Sequence, residues 1–215
     1  KKKIENILKR NRLPIICGGT GFYIQSIVDN ILLPEVPPNK ELRKKLGRKT
    51  LIELQLILKK LDVDRFKNID TKNPVRLIRA IEIATALGKV PKIKEEKSKY
   101  EFLQIGIIVP PEILRNKIAD RLKKRIKIGM IKEAEKLHKN GLSFKRMREL
   151  GLEYKFLADY LDKMVPKDEM LVKLDTEIWH YAKRQITWFK RDKDIKWFSI
   201  KNFKEINKEI HSFID

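Results

Sequence analysis

A chain of 215 residues that is 42% hydrophobic can bury a core and is not a disordered tail, while 50 Lys and Arg against 29 Asp and Glu leave a net charge of +21. Such an excess attracts polyphosphates through counterion release, so nucleic acid is the first partner expected and an anionic membrane surface the second; a Lys- and Ile-heavy composition of genomic origin would raise the charge without any partner. Cys17 is the only cysteine, which excludes an internal disulfide and suits a reducing cytoplasm; three histidines make no zinc framework, and no apolar run nears the roughly 20 residues that span a bilayer.

The chain opens at Lys1, without Met, inside a segment whose Ile4, Ile7 and Leu8 have helical spacing. A segment ahead of Lys1 is therefore expected. Pro14-Ile15-Ile16-Cys17 reads as a short buried strand that runs into Gly18-Gly19 and on to a helix from Gly21 to Asn30. In such βα units ligands gather at the strand's C-terminal end. The run Leu33-Pro34-Glu35-Val36-Pro37-Pro38 marks a boundary. Beyond it, Thr50-Leu51-Ile52-Glu53 fits a capping box, and Asn73-Pro74 with Gly88 fits the start and stop of another helix. Residues 39–97 are predicted to form a helical insert, with 1–38 and 98–215 as the core.

Residues 101–109 return to a strand pattern that stops at Pro110-Pro111. Helical patterns follow over about 112–140 and 167–190. Ile195 to Ile200 reads as a final strand before a closing helix. Strands separated by helices predict an α/β core with a parallel sheet. Three strands are visible where five or six are usual, so more are expected upstream.

Several segments carry possible chemistry. Gly18-Gly19-Thr20-Gly21 lies where strand meets helix, so its amides and the Thr20 hydroxyl can meet an anion, although glycines after a strand usually only make the turn. Leu114, Ile118 and Leu122 mark a buried stripe beside which Lys117 and Arg121 stand one turn apart. Two cations on one face can converge on a pyrophosphate or simply be solvated. Arg76 and Arg79 share a helix face among apolar neighbours, and phosphate contact and ordinary surface placement stay equally open. Lys183-Arg184-Gln185-Ile186-Thr187-Trp188-Phe189-Lys190-Arg191 mixes cations, an amide, a hydroxyl and two aromatics, a combination that binds phosphates and stacks unpaired bases. Trp188 and Phe189 as core residues is the alternative.

Taken in order, the segment from Pro14 to Tyr23, that from Asn73 to Ile83, the Arg121 helix and that from Ala182 to Phe189 together resemble the tRNA dimethylallyltransferases over nearly the whole chain. The resemblance implies a P-loop NTPase-like α/β core that binds dimethylallyl diphosphate, and a helical insert that grips the anticodon arm. It implies transfer of the dimethylallyl group to N6 of the adenosine beside the anticodon, with diphosphate leaving and Mg²⁺ sharing its charge, by a cytoplasmic monomer. By resemblance, Thr20 stands at the reaction centre and Arg121 stabilises the leaving diphosphate, with Gly18, Gly19 and Lys117 as substrate-binding neighbours. Also by resemblance, tRNA meets Arg43; Val75, Arg76, Leu77, Ile78 and Arg79; Arg148, Gly151, Tyr154 and Lys155; and Lys183, Arg184, Gln185, Thr187, Trp188 and Lys190.

The family's G-x-x-x-S-G-K-[ST] loop and its general-base aspartate have no counterpart in these residues, so the chain alone is expected to be inactive. Gly151-Leu152-Glu153-Tyr154-Lys155 replaces the commoner Gly-Tyr-Lys. A related enzyme acting on free adenine nucleotides and a nonenzymatic RNA-binding module are the alternatives.

Overall fold

The computed structural model describes residues 1–92 and 98–214, and the chain divides into two compact units, one of Lys1–Ile16 with Phe22–Tyr100 and the other of Cys17–Gly21 with Glu101–Asp215. The helical unit thus takes in residues 1–16 and 22–38 as well as the expected insert. The end of that insert, residues 93–97, lies outside the described residues. Among the described residues no helix is long and apolar enough to cross a membrane.

The first unit carries α1 (Lys2–Leu8), most of α2 (Gly21–Val28), α3 (Lys40–Leu46), α4 (Leu51–Leu61), α5 (Val63–Lys67) and α6 (Pro74–Leu87). Helix starts follow local chemistry. Thr50 and Glu53 close the predicted capping box on α4, and Asn73 caps α6 with Pro74 in its first turn. Gly88, at φ 80°, ends α6 in a conformation that side chains disfavour. Leu54 and Leu58 of α4 meet Leu77, Ala80 and Ile81 of α6 in one core that also holds Leu46 of α3. Spacings of three and four put these residues on facing stripes, and each fully buried leucine contributes about 1.5–3 kcal/mol.

The second unit carries β1 (Ile105–Ile108), α7 (Pro111–Lys127), α8 (Met130–Lys139), α9 (Phe144–Leu150), α10 (Leu152–Leu161), α11 (Lys167–Phe189), β2 (Lys196–Ser199) and α12 (Phe203–Ile214). β1 and β2 pair in parallel, with Ile105 opposite Lys196 and Ile108 opposite Ser199. The predicted parallel pairing is therefore present, over two strands among the described residues. Ile118 and Leu122 of α7, Met147 of α9, Leu157 of α10, and Met170, Leu174 and Ile178 of α11 are buried in the main core of this unit.

Three departures have simple causes. Pro14–Cys17 is not a strand, since β1 and β2 pair with each other and no ladder reaches this segment. The helical pattern over 112–140 splits into α7 and α8 at Gly129, whose φ of 109° no continuing helix permits. α9 and α10, which the periodicity left unread, are separated by Gly151 at φ 79° and ψ −173°, a region glycine alone adopts readily.

One carboxylate interrupts the apolar face of α6. Glu82 is 2% exposed and accepts hydrogen bonds from Nε and Nη2 of Arg43 at 2.9 and 2.7 Å, from the Asn39 amide at 2.6 Å, and from Nη1 of Arg79. Arg79 also donates through Nη2 to the Val36 carbonyl at 2.9 Å. The cluster thereby fastens residues 36–39 and α3 to α6. Arg43 does most to hold the Glu82 carboxyl at about 2, burial pulls the other way, and Arg79 and the Asn39 amide add to the lowering. A carboxyl whose folded value lies below its ordinary 4.5 stabilises fully above that ordinary value, and the stabilisation fades as pH falls toward the folded value. At about 1.4 kcal/mol per tenfold change in proton affinity, Glu82 contributes about 3 kcal/mol near neutrality. Glu82→Gln is expected to lose about that much unfolding free energy at pH 7 in urea titrations. The gap between parent and variant should narrow between pH 4.5 and 2, and a gap independent of pH would show that the carboxylate charge is not what holds the cluster.

Candidate active site and nucleic-acid interface

The glycine turn lies against α11. The Gln185 amide donates from Nε2 to the Gly19 carbonyl at 2.8 Å. A Cβ built on Gly19 would lie 2.2 Å from Gln185 Nε2, and one on Gly21 would lie 2.2 Å from Trp188 Cδ1. A methyl at Gly19 would push the Gln185 amide off the Gly19 carbonyl, and one at Gly21 would displace the Trp188 ring. Gly18 has open space around its Cβ position, and Thr20 is exposed.

A cavity of about 280 Å³ opens between α7 and α11, and its lining includes Lys117, Ile118, Arg121, Ile178, Tyr181 and Gln185. Ile118 faces the core while Lys117 and Arg121 are exposed, which is the division the sequence pattern implies for α7. The expected meeting of Thr20 and Arg121 is indirect. Arg121 lines the cavity and Thr20 does not, but Gln185 lines it too and bonds the residue preceding Thr20.

These groups suit an anion. Lys117 and Arg121 are like charges one turn apart, which repel by a few tenths of a kcal/mol until a polyanion lies between them. The expected Mg²⁺ fits less well, because the cavity offers cations and an amide where that ion takes carboxylate oxygens. No group of three or more His, Cys, Asp or Glu able to hold a metal exists among the described residues.

The residues expected on RNA fall into two groups. In the first unit Val75 is 74% exposed, Arg76 pairs with Asp70 at 3.2 Å, and Arg43 and Arg79 are held by Glu82 with their outer edges open to solvent. Leu77 corrects the expectation for this stretch, because it is 0% exposed and serves the core, not the surface. Ile78 likewise packs against that core. Sequence reasoning passed over Glu82, although an acid between Ile81 and Ile83 on an apolar stripe was a usable signal.

In the second unit Arg148 is engaged by Asp159 and Asp162, at 2.6 Å each. Tyr154 donates its hydroxyl to Glu133 at 2.9 Å, and the Glu133 carboxylate raises the phenol above its ordinary range. Gly151 serves as the break between α9 and α10. Lys155 is exposed and lies over the Phe156 ring at 5.3 Å. On α11, Lys183 lies 5.7 Å over Trp179 and Arg184 6.0 Å over Tyr181. Thr187 donates to the Lys183 carbonyl at 3.0 Å. Lys190 is exposed at the helix end, and Arg191 covers the Trp188 ring at 5.6 Å. Cations supported on aromatic faces cover the outer side of this segment.

Residues 1–192 match the family model described as IPP transferase. The chain is 44% identical over 195 residues to tRNA dimethylallyltransferase 2 of Treponema denticola, covering 88% of this chain and 65% of that protein. It is 38% identical to tRNA dimethylallyltransferase 1 of Syntrophus aciditrophicus, covering 87% and 62%. The chain therefore spans just under two thirds of the length of these curated relatives. Among solved structures, the full-length tRNA isopentenylpyrophosphate transferase of Bacillus halodurans is similar with a TM-score of 0.64 and 30% identity, over 99% of this chain and 69% of that one. A eukaryotic dimethylallyltransferase acting on tRNA shares the fold with a TM-score of 0.75 at 20% identity, over 99% and 57%. A family model matched over nearly all of the chain, together with relatives of this identity, establishes that the chain belongs to the IPP transferase family.

Proposed function

We propose that the protein containing this chain is a tRNA dimethylallyltransferase, which moves the dimethylallyl group of dimethylallyl diphosphate to N6 of the adenosine beside the anticodon. The names of its relatives support this reading, and the observation that carries it is the cavity holding Lys117 and Arg121 beside the helix that grips the glycine turn. In the reaction the N6 lone pair forms a bond to the first allylic carbon, the carbon–oxygen bond to diphosphate breaks, and N6 passes a proton to the general-base aspartate that the family resemblance implies. Arg121 offers its guanidinium fork to the diphosphate as negative charge grows on the leaving oxygen, and Lys117 adds a second cation. Thr20 presents its hydroxyl to the amine.

The parallel pair β1 and β2 with the helices between them is, on this reading, part of a P-loop NTPase-like core, and the reaction belongs to a monomer in the cytoplasm. The anticodon arm is held by Arg43, Val75, Arg76 and Arg79 on the helical unit, and by Arg148, Lys155, Lys183, Arg184 and Lys190 on the other. A free nucleotide would need none of this cationic surface.

Full-length protein with dimethylallyl diphosphate and tRNA should yield prenylated adenosine by mass spectrometry, and Arg121→Ala should lower kcat/KM by about 100- to 1,000-fold with tRNA affinity unchanged. No transfer by the parent protein, or full transfer by the variant, would refute the assignment. Binding to tRNA should weaken steeply with salt. Lys183→Ala and Lys190→Ala should each flatten the log–log slope by about 1, and affinity that ignores salt would remove tRNA as the partner.

A further inference from the structure

We infer that Gln185 and Trp188 are positioning residues that lock the glycine turn next to the cationic cavity. The inference rests on the proposed function for what the turn does, but the lock itself is a matter of geometry. The two side chains stand three residues apart on one face of α11 and engage alternate residues of the turn. Gln185 donates to the Gly19 carbonyl at 2.8 Å, and Trp188 lies on Gly21 so closely that a Cβ there would come within 2.2 to 2.5 Å of three of its ring atoms.

Alternation has a consequence for the residue between them. With positions 19 and 21 pressed to the helix, Thr20 is held by both neighbours and left exposed. Gly18, one residue outside the clamp, meets nothing within 4 Å. The backbone on either side of the one hydroxyl in the turn is therefore fastened while the hydroxyl stays free for a substrate.

Gln185 has a second face. It lines the cavity with Lys117 and Arg121, so one side chain links the position of Thr20 to that of the cations. The bond to Gly19 takes one of the two Nε2 protons and fixes the plane of the amide. The Trp188 ring is occupied as well, with Gly21 on one part of it and Arg191 at 5.6 Å. Misplacing a reacting group by about 1 Å costs on the order of 100-fold in rate, and that is the scale expected when the lock is removed.

The test compares full-length parent protein with Gln185→Glu, which keeps the shape but sets an acceptor against the Gly19 carbonyl, with Trp188→Phe, and with Lys173→Ala, an exposed position of the same helix away from the turn, as a surface comparison. Gln185→Glu should lower kcat about 100-fold with the tRNA dissociation constant changed less than about threefold, whereas Lys173→Ala should leave both unchanged. Hydrogen exchange of the amides in residues 18–21 should quicken in Gln185→Glu and Trp188→Phe and stay unchanged in Lys173→Ala. Gly19→Ala should be impaired alone and partly relieved by Gln185→Ala in the same chain, because removing the amide opens the space a methyl needs. Loss of tRNA affinity with kcat intact, or unchanged exchange at the turn, overturns the inference. A parent protein that transfers no prenyl group would instead refute the proposed function, and the exchange comparison would still decide whether the lock exists.

Discussion

The buried half of α11 sets the register of everything at the candidate site. Met170, Leu174 and Ile178, at 0, 0 and 5% exposure, descend one face of the helix into the core of the second unit. The same stripe, continued at the spacing of a helix, brings Ala182 and then Gln185 to the surface that meets the cavity and the glycine turn. Close packing allows such a stripe little freedom to slide or rotate, and Gln185 lies only about 10 Å along the axis from Ile178. A helix anchored by its apolar half can therefore present an amide to a carbonyl with the precision a hydrogen bond needs.

The charge of the chain is arranged more selectively than its total suggests. Arg43 and Arg79 are turned by Glu82, Arg76 by Asp70, and Arg148 by Asp159 and Asp162. A guanidinium has five N–H donors, and Arg43 uses only its Nε and one Nη toward Glu82. What remains is an oriented cation whose conformational entropy is already lost, so a phosphate that meets it costs less to bind. Glu82 is costly to bury by itself, and it is the two arginines and the Asn39 amide that make its place in α6 tenable.

Local chemistry was legible in the sequence, and distant contacts were not. The capping box at Thr50, the Asn73-Pro74 start, the span of α11 and the strand at Lys196–Ser199 each follow from residues within a turn or two of one another. Pro14–Cys17 misled because four apolar residues before glycines look alike whether or not a strand lies beside them. Leu77 misled in another way, since a stretch taken whole by resemblance ignored the helical period that turns every third or fourth residue inward. The bond from Gln185 to Gly19 joins residues 166 apart, and nothing in either segment's own spacing announces the other.

The contrast along α7 bears most directly on what the cavity is for. Arg115 and Arg125 are ion-paired, with Asp175 and Glu153 respectively, whereas no ion pair involves Lys117 or Arg121 among the described residues. All four belong to one helix, so the difference lies in which neighbours the fold supplies. Where α7 meets the rest of its unit, acids are provided; where it borders the cavity, the facing residues are Ile178, Tyr181 and Gln185, none of them an acid. Two like charges left one turn apart with no counter-charge weaken the helix slightly, and an anion in the cavity reverses the sign of that interaction. A diphosphate, with several oxygens to share between an ammonium and a planar guanidinium fork, matches the pair better than a single carboxylate does.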